Sequence, residues 1–423
     1  MLVVSAIQEN KEIVIKGLKK RNFKHLELVD EVLNTDELRR KTQFELDNLL
    51  AESNKLSKEI GQLFQQGRAE EANELKEKTA EQKVQIKESQ DLLEKYEESL
   101  KSMLYQIPNV PHEKVVAGVS ADDNEIVYTN GDASPKTEAV PHWELAKKFN
   151  LIDFELGVKI TGAGFPVYLG KGARLQRALI QYFLDKNTEA GYTEIIPPFV
   201  VNEASGYGTG QLPDKEGQMY FVNEDNLYLI PTSEVPVTNI YRDELVNENQ
   251  LPIKLTAYSP CFRREAGSYG KDVRGLNRLH QFEKVEIVRI EKPENSYAAL
   301  EEMVEHVKGL LEDLELPYRI LRLCGGDTGF ASAMTYDFEV FSAAQEKWLE
   351  VSSVSNFETF QSNRLKLRFK NTEGKNEFCH TLNGSALALP RIMACILENH
   401  QQADGSVKIP EKLKSYTGFE SIN

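Results

Sequence analysis

From Asp36 to Tyr105 the chain contains no proline and only two glycines, Gly61 and Gly67, so almost nothing there interrupts a helix. Thr42, Leu46, Leu49, Ser53, Leu56, Ile60 and Leu63 recur in alternating steps of four and three, which is the pattern of a coiled-coil seam. Leu75, Thr79, Gln82, Ile86, Ser89, Leu93, Tyr96 and Leu100 repeat it. Between the two runs lies QQGRAE, where Gly67 suits a helix C-cap, so the chain is expected to reverse there. At a rise of about 1.5 Å per residue, each helix would run on the order of 45 to 55 Å, longer than a small domain is wide. The sequence therefore predicts an antiparallel helical arm over 36–105, with Thr35 and Asp36 capping its first helix. Thr, Ser and Gln in the seams point to a marginal zipper anchored at its base.

A chain of 423 residues has room for a second, larger unit. We place the arm in residues 1–107, a linker and lead-in at 108–160, and a body at 161–423. Pro, Gly, Asp and Ser crowd PNVPHEKVVAGVSADDN and GDASPKTEAVPHWEL, marking the linker from about Ile107 to Trp143. Beyond it, YTEIIPPFVV, NLYLIPT, FEKVEIVRI, PYRILRL and RLKLRF read as strands, and helices are expected near 172–190, 294–316 and 385–400. Few of these strands are separated by crossover helices, so the fold class is α+β with a mainly antiparallel sheet flanked by helices.

Several function classes fall away at this stage. No apolar run approaches the roughly 18 residues that cross a bilayer. The start lacks a basic region, and its apolar stretch breaks at Gln8, so a cytoplasmic protein without membrane partners is expected. Cys261, Cys324, Cys379 and Cys395 show no CxxC or Cys/His spacing, so no structural zinc is expected and the thiols should be reduced. A net charge of -15 argues against wholesale capture of nucleic acid. Two local basic segments remain: Lys16, Lys19, Lys20, Arg21 and Lys24, and Arg263, Arg264, Lys271, Arg274 and Arg278.

The chain has neither a GxxxxGK[ST] loop nor a GxGxxG fingerprint after a strand. It has FRREAG, a basic loop, and HQFEKVEI, read as strand, loop, strand, with Arg263 and Glu265 on one limb and Phe282 and Glu286 on the other. Arginines that grip phosphate, an aromatic plate for a purine, and carboxylates for Mg2+ are what a site for ATP needs when no P-loop is present. The competing reading is a solvated charged hairpin with Phe282 in the core.

These residues resemble motif 2 of the class II aminoacyl-tRNA synthetases, in the form found in seryl-tRNA synthetases. GARLQRALIQYFLDKNTEAGYTEIIPPFVV resembles motif 1, with Pro198 at its fixed proline, and NGSALALPRIMACILENHQ resembles motif 3, with Arg391 as its arginine. TSE at 232–234 and LEVSSVSNFETFQSNR at 349–364 match further seryl-enzyme signatures, although Asn363 and Val354 depart from the usual residues.

The resemblance implies activation of L-serine by ATP to seryl-adenylate, then transfer to the 3′ end of tRNA(Ser), and leaves open whether tRNA(Sec) is charged as well. It implies Arg263, Glu265 and Arg391 as catalytic residues. Arg264, Leu279, Phe282, Glu350, Val351, Ser352 and Ser353 complete an ATP site, in which Glu350 and Ser353 would hold Mg2+. Arg391 would face either the γ-phosphate or the other side of the base. Thr232, Ser233, Glu234, Glu286, Asn383 and Ser385, with Arg263, would surround serine, Glu286 taking the ammonium or the hydroxyl. A homodimer follows from motif 1. Arg39, Arg40, Lys41, Lys55 and Lys58 on the arm would contact tRNA.

Other readings stay open on sequence alone: a class II ligase for threonine or proline, a non-catalytic tRNA-binding relative, and a coiled-coil scaffold. A zinc-based threonine pocket would need a Cys/His/His set that the chain lacks, the non-catalytic relative leaves intact charged residues unexplained, and the scaffold accounts only for the arm.

Overall fold

The computed structural model describes residues 1–135, 139–214, 217–265 and 274–423. Contacts divide it into two compact units: Met1–Lys19 with Phe23–Pro108, and Lys20–Asn22 with Asn109–Asn423.

In the first unit the two seams fold as helices α1 (Glu27–Gln65) and α2 (Ala69–Leu104), packed against each other. Gly67 stands between them at φ +75°, a left-handed conformation that glycine adopts without a Cβ clash. Thr42, Leu46, Leu56 and Leu63 are buried on α1, and Thr79, Gln82 and Leu100 on α2, while the remaining seam positions are half-buried. Thr79 is made tolerable there because its hydroxyl donates to the carbonyl of Leu75.

The expected cap at Thr35 and Asp36 is incorrect. The helix begins at Glu27 because Val29 and Val32 continue its apolar face, which packs on the short helix Val4–Glu9. Asp36 is a buried mid-helix carboxylate held by Arg39 at 2.8 Å and Arg40 at 2.9 Å.

The second unit is built on an eight-stranded sheet. Its strands are β1 (Glu125–Asn130), β2 (Thr193–Glu194), β3 (Ile253–Phe262), β4 (Gln281–Glu291), β5 (Tyr318–Arg322), β6 (Met334–Ser342), β7 (Lys347–Glu358) and β8 (His380–Ala388). They lie in the order β1-β5-β6-β7-β8-β4-β3-β2. Every neighbouring pair is antiparallel except β2 with β3. Helices α3 (His142–Lys148), α4 (Gly170–Glu189), α5 (Glu203–Thr209), α6 (Glu234–Asn239), α7 (Ser296–Asp313), α8 (Thr359–Leu365) and α9 (Leu389–Asn399) surround it. Leu175, Leu179 and Phe183 of α4, Met303 and Val307 of α7, and Ile392 and Ile396 of α9 share one core with Val285, Ile287, Phe338 and Val354 of the sheet.

Several local expectations change. The stretch read as linker supplies the edge strand β1, paired with β5 through Glu125 to Asn130. YTEIIPPFVV yields only Thr193–Glu194 and Val200–Asn202, since Pro197 and Pro198 have no N–H for a ladder. RLKLRF begins inside α8, and only Arg368–Lys370 is strand. The helix expected from 385 begins at Leu389, where Pro390 fits the first turn, and 385–388 finish β8. The first limb of the motif 2 hairpin ends as a strand at Phe262. Lys271, and the Ala266 and Gly267 of FRREAG, lie outside the described residues.

The second unit also threads in three residues that precede α1. Arg21 donates to the carbonyl oxygens of Asn109 at 3.2 Å, Ser332 at 2.8 Å, Thr328 at 2.7 Å and Gly329 at 2.6 Å. Burial lowers its pKa to about 10.

Candidate active site

Side chains two apart on a strand share a face, and on β4 this aligns Phe282, Lys284 and Glu286. Phe282 and Lys284 of this row line the smaller of two adjoining cavities. The smaller, of about 230 Å³, is lined by Arg263, Glu265, Leu279, Phe282, Glu350, Val351, Ser352, Ser353, Ser385 and Arg391, all expected from sequence, together with Leu276, Asn277, Arg278, Lys284, Ala388 and Pro390. The larger, of about 680 Å³, includes Glu234, Thr209, Asp337 and Glu339, and meets the first at Glu350 and Ser353.

Arg263 follows the end of β3, its N–H donating to the carbonyl of His280 at 2.9 Å. Its guanidinium lies 5.1 Å from the centre of the Phe282 ring, and its Nε donates to the carbonyl of Pro231 at 3.3 Å. Glu265, at φ +48°, accepts from Arg278 at 2.7 Å. Arg391, in the first turn of α9, donates Nε to the carbonyl of Asn277 at 3.0 Å and Nη1 to that of Glu350 at 2.6 Å. Two arginines from distant segments thus face one cavity.

The floor behind this cavity is polar and buried. Lys284 pairs with Glu286 at 2.6 Å, and Thr232 donates to the same carboxylate at 3.2 Å. Burial raises the Glu286 pKa, against the pull of Lys284. Glu234, opening α6, accepts from Gln361 Nε2 at 2.7 Å; burial, and then the nearby Glu286, push its carboxyl up to about 7. Gln361 is fixed by Thr381, whose hydroxyl donates to its Oε1 at 2.7 Å. A bulge where Lys284 pairs with Ala388 and Glu286 with Ser385 lets β8 bend along this row, and the Ser385 carbonyl accepts from Ser352 at 2.6 Å.

Other expected residues stand apart. Arg264 donates its N–H to Gln218 and lies over the ring of Tyr220 at 5.5 Å. Ser233 turns inward to share a 2.6 Å hydrogen bond with Ser259. Asn383 is buried on β8 opposite Val288 and Ser355. On the arm Lys41, Lys55 and Lys58 are exposed, whereas Arg39 and Arg40 are engaged by Asp36. His280 stacks on Phe165 and meets Tyr220 at 3.0 Å.

Sequence reading missed Lys284, although its place between Phe282 and Glu286 at strand spacing was the available signal. It also missed Asn277, which acts on Arg391 from a distant segment, and Gln361, which lies within LEVSSVSNFETFQSNR but was not singled out there. All four cysteines are buried free thiols. Among the described residues no three His, Cys, Asp or Glu side chains are grouped to hold a metal ion, and no helix is long and apolar enough to cross a membrane.

An antiparallel sheet carrying two arginines, an aromatic ring and buried carboxylates is the arrangement of a class II aminoacyl-tRNA synthetase core. Residues 220–400 match the family model of the tRNA synthetase class II core domain (G, H, P, S and T), and residues 1–111 match that of the seryl-tRNA synthetase N-terminal domain. The chain is 50% identical to a serine–tRNA ligase of Salinibacter ruber, covering 100% of this chain and 99% of the relative. It is 48% identical to that of Methylacidiphilum infernorum, over 98% and 99% of the two chains. The crystal structure of seryl-tRNA synthetase from Pyrococcus horikoshii complexed with ATP superposes with a TM-score of 0.92 at 35% identity, covering 100% of this chain and 99% of that one. The chain belongs to the serine–tRNA ligase family, and its activity is the joining of serine to tRNA.

Proposed function

We propose that the smaller cavity takes ATP and that the row from Lys284 to Glu286, with Thr232, Glu234 and Ser385, takes serine. The observation that carries this reading is the convergence of Arg263, Phe282 and Arg391, from three separated segments, on one cavity that reaches Lys284, the partner of the buried Glu286 carboxylate. Phe282 would carry the adenine and Glu265 would bond it. Arg263 would hold the serine carboxylate against the α-phosphate and offset the charge growing on its oxygens. Attack by the serine carboxylate forms the acyl–phosphate bond and releases pyrophosphate; the tRNA 3′-terminal hydroxyl then takes the seryl group and frees AMP. Glu286 and Glu234 suit the ammonium, and the Ser385 hydroxyl suits that of serine. A site whose polar groups need a hydroxyl partner disfavours alanine, while threonine must be excluded by closure.

Glu350 is about half exposed and Ser353 bonds Asp337 at 2.6 Å, an all-oxygen set beside the cavity that fits Mg2+ brought in with the triphosphate. Such an ion would neutralise phosphate charge. We further assign residues 1–107 to tRNA(Ser) binding, through shape and cations such as Lys41, Lys55 and Lys58, residues 108–160 to a lead-in, and 161–423 to catalysis. A homodimer through the segment beginning at α4, and a cytoplasmic setting, complete the reading, with tRNA(Sec) as a second acceptor to be tested by charging both transcripts.

Amino-acid-dependent ATP–pyrophosphate exchange without tRNA tests the site. Serine should give the signal, alanine and threonine little, and Arg263→Ala should abolish it while circular dichroism and assembly state stay unchanged. Exchange near the parent level in Arg263→Ala would refute the role given to that residue.

A further inference from the structure

The wall of the smaller cavity formed by Leu276, Asn277 and Leu279 is fastened from behind, by residues that never reach the cavity. His142, the first residue of α3, is fully buried. Its Nε2 accepts the N–H of Leu276 at 2.8 Å, and its Nδ1 meets Glu398 Oε1 at 2.6 Å. A ring nitrogen that accepts an N–H carries no proton, so the imidazole proton sits on Nδ1 and is donated to Glu398.

Glu398 lies seven residues beyond Arg391 on α9, two turns along the same side of the helix. It also accepts from the N–H of His142 at 3.0 Å, from Gln345 at 3.0 Å and from the Ser342 hydroxyl. Burial opposes its charge, yet the hydrogen bonds from His142 and Ser342 outweigh this and hold its carboxyl below the ordinary range.

A second observation concerns the same loop. Gly275, at φ +65°, passes so close to the ring that a Cβ there would come within 2.2 Å of His142 Nε2. Asn277 then serves twice, donating to Gln345 at 2.8 Å and accepting from Arg391 Nε at 3.0 Å. Glu398, His142, the loop and Arg391 form a closed ring of contacts.

We propose that His142 and Glu398 are positioning residues for ATP: they set the 274–279 wall and, through Asn277, the aim of the Arg391 guanidinium. The inference rests on reading this cavity as the ATP site. The serine side hangs on a different set of bonds, from Gln361 to Glu234 and from Lys284 to Glu286, so the effect should fall on one substrate only.

Pyrophosphate exchange with the full chain separates the two. His142→Leu, which removes both bonds, should raise KM for ATP about tenfold or more and leave KM for serine within about twofold. His142→Gln, which keeps an acceptor for Leu276 N–H, should recover most of the loss. Gly275→Ala displaces the same loop without emptying the buried site, should give the same ATP-specific change, and carries the test if His142→Leu does not fold. An unchanged KM for ATP, a joint rise of both KM values, or failure of His142→Gln to rescue would overturn the proposal. Arg391→Ala distinguishes the underlying reading: if that variant also keeps its KM for ATP, the ATP assignment itself falls and this proposal with it.

Discussion

Raising the pH from about 6 to about 8 should increase kcat/KM for serine roughly tenfold, through one group, Glu234. Its carboxyl is held at about 7 by burial and by Glu286, inside the range where the assay can be run. With that midpoint the ionised fraction climbs from roughly a tenth to roughly nine-tenths across the interval, and only the ionised form attracts the ammonium of serine. At about pH 7 serine binding should therefore release about half a proton, read as a dependence of calorimetric binding enthalpy on the ionisation enthalpy of the buffer. The same titration acts on stability with a defined sign. A folded value of about 7 above an ordinary 4.5 favours the protonated folded state. That contribution is complete below about 4.5 and is lost as pH rises through about 7, amounting to about 3 kcal/mol. Exchange kinetics at subsaturating serine, with Glu234→Gln as the comparison, decide the matter. A flat profile in the parent, or the same rising limb in Glu234→Gln, would refute the reasoning.

Glu286→Ala should cost about 3 to 5 kcal/mol, because it leaves the Lys284 ammonium buried without its carboxylate; pairing it with Lys284→Met should restore much of the melting temperature, and an unshifted melt in the single variant would show that water reaches the lysine. Removing 36–105 should spare serine-dependent exchange and sharply reduce transfer to tRNA, measured by charging a tRNA(Ser) transcript; undiminished charging would make the arm a purely structural element. Lys55→Ala with Lys58→Ala should weaken tRNA binding most at low salt, since exposed cations act through screened charge; salt-independent loss would point to a folding defect instead.

The arm was legible because its information is periodic. Each seam position from Thr42 to Leu100 is buried or half-buried at its expected step, and a helix pair needs little beyond that period to be specified. Its start was not, because the continuation through Val29 and Val32 depends on a partner, the helix around Ile7, that no local cap signal announces. In the body, Arg263, Phe282 and Arg391 could be named from the resemblance, yet their meeting depends on strand order, with β8 between β7 and β4. Strands 334–342, 347–358 and 380–388 are buried on both faces for much of their length, so they lose the alternation that marks a half-exposed strand. That is why Ser385 to Ala388 read as helix.

The three-residue insertion around Arg21 has a practical meaning for anyone dividing this chain. A fragment beginning at Asn109 would lack the guanidinium that gathers the carbonyls of Thr328, Gly329 and Ser332, whereas excising only the hairpin keeps it. The two truncations look equivalent on a linear map, but the second unit is discontinuous in sequence, and its folding draws on residues synthesised some three hundred positions ahead of the loop they fasten.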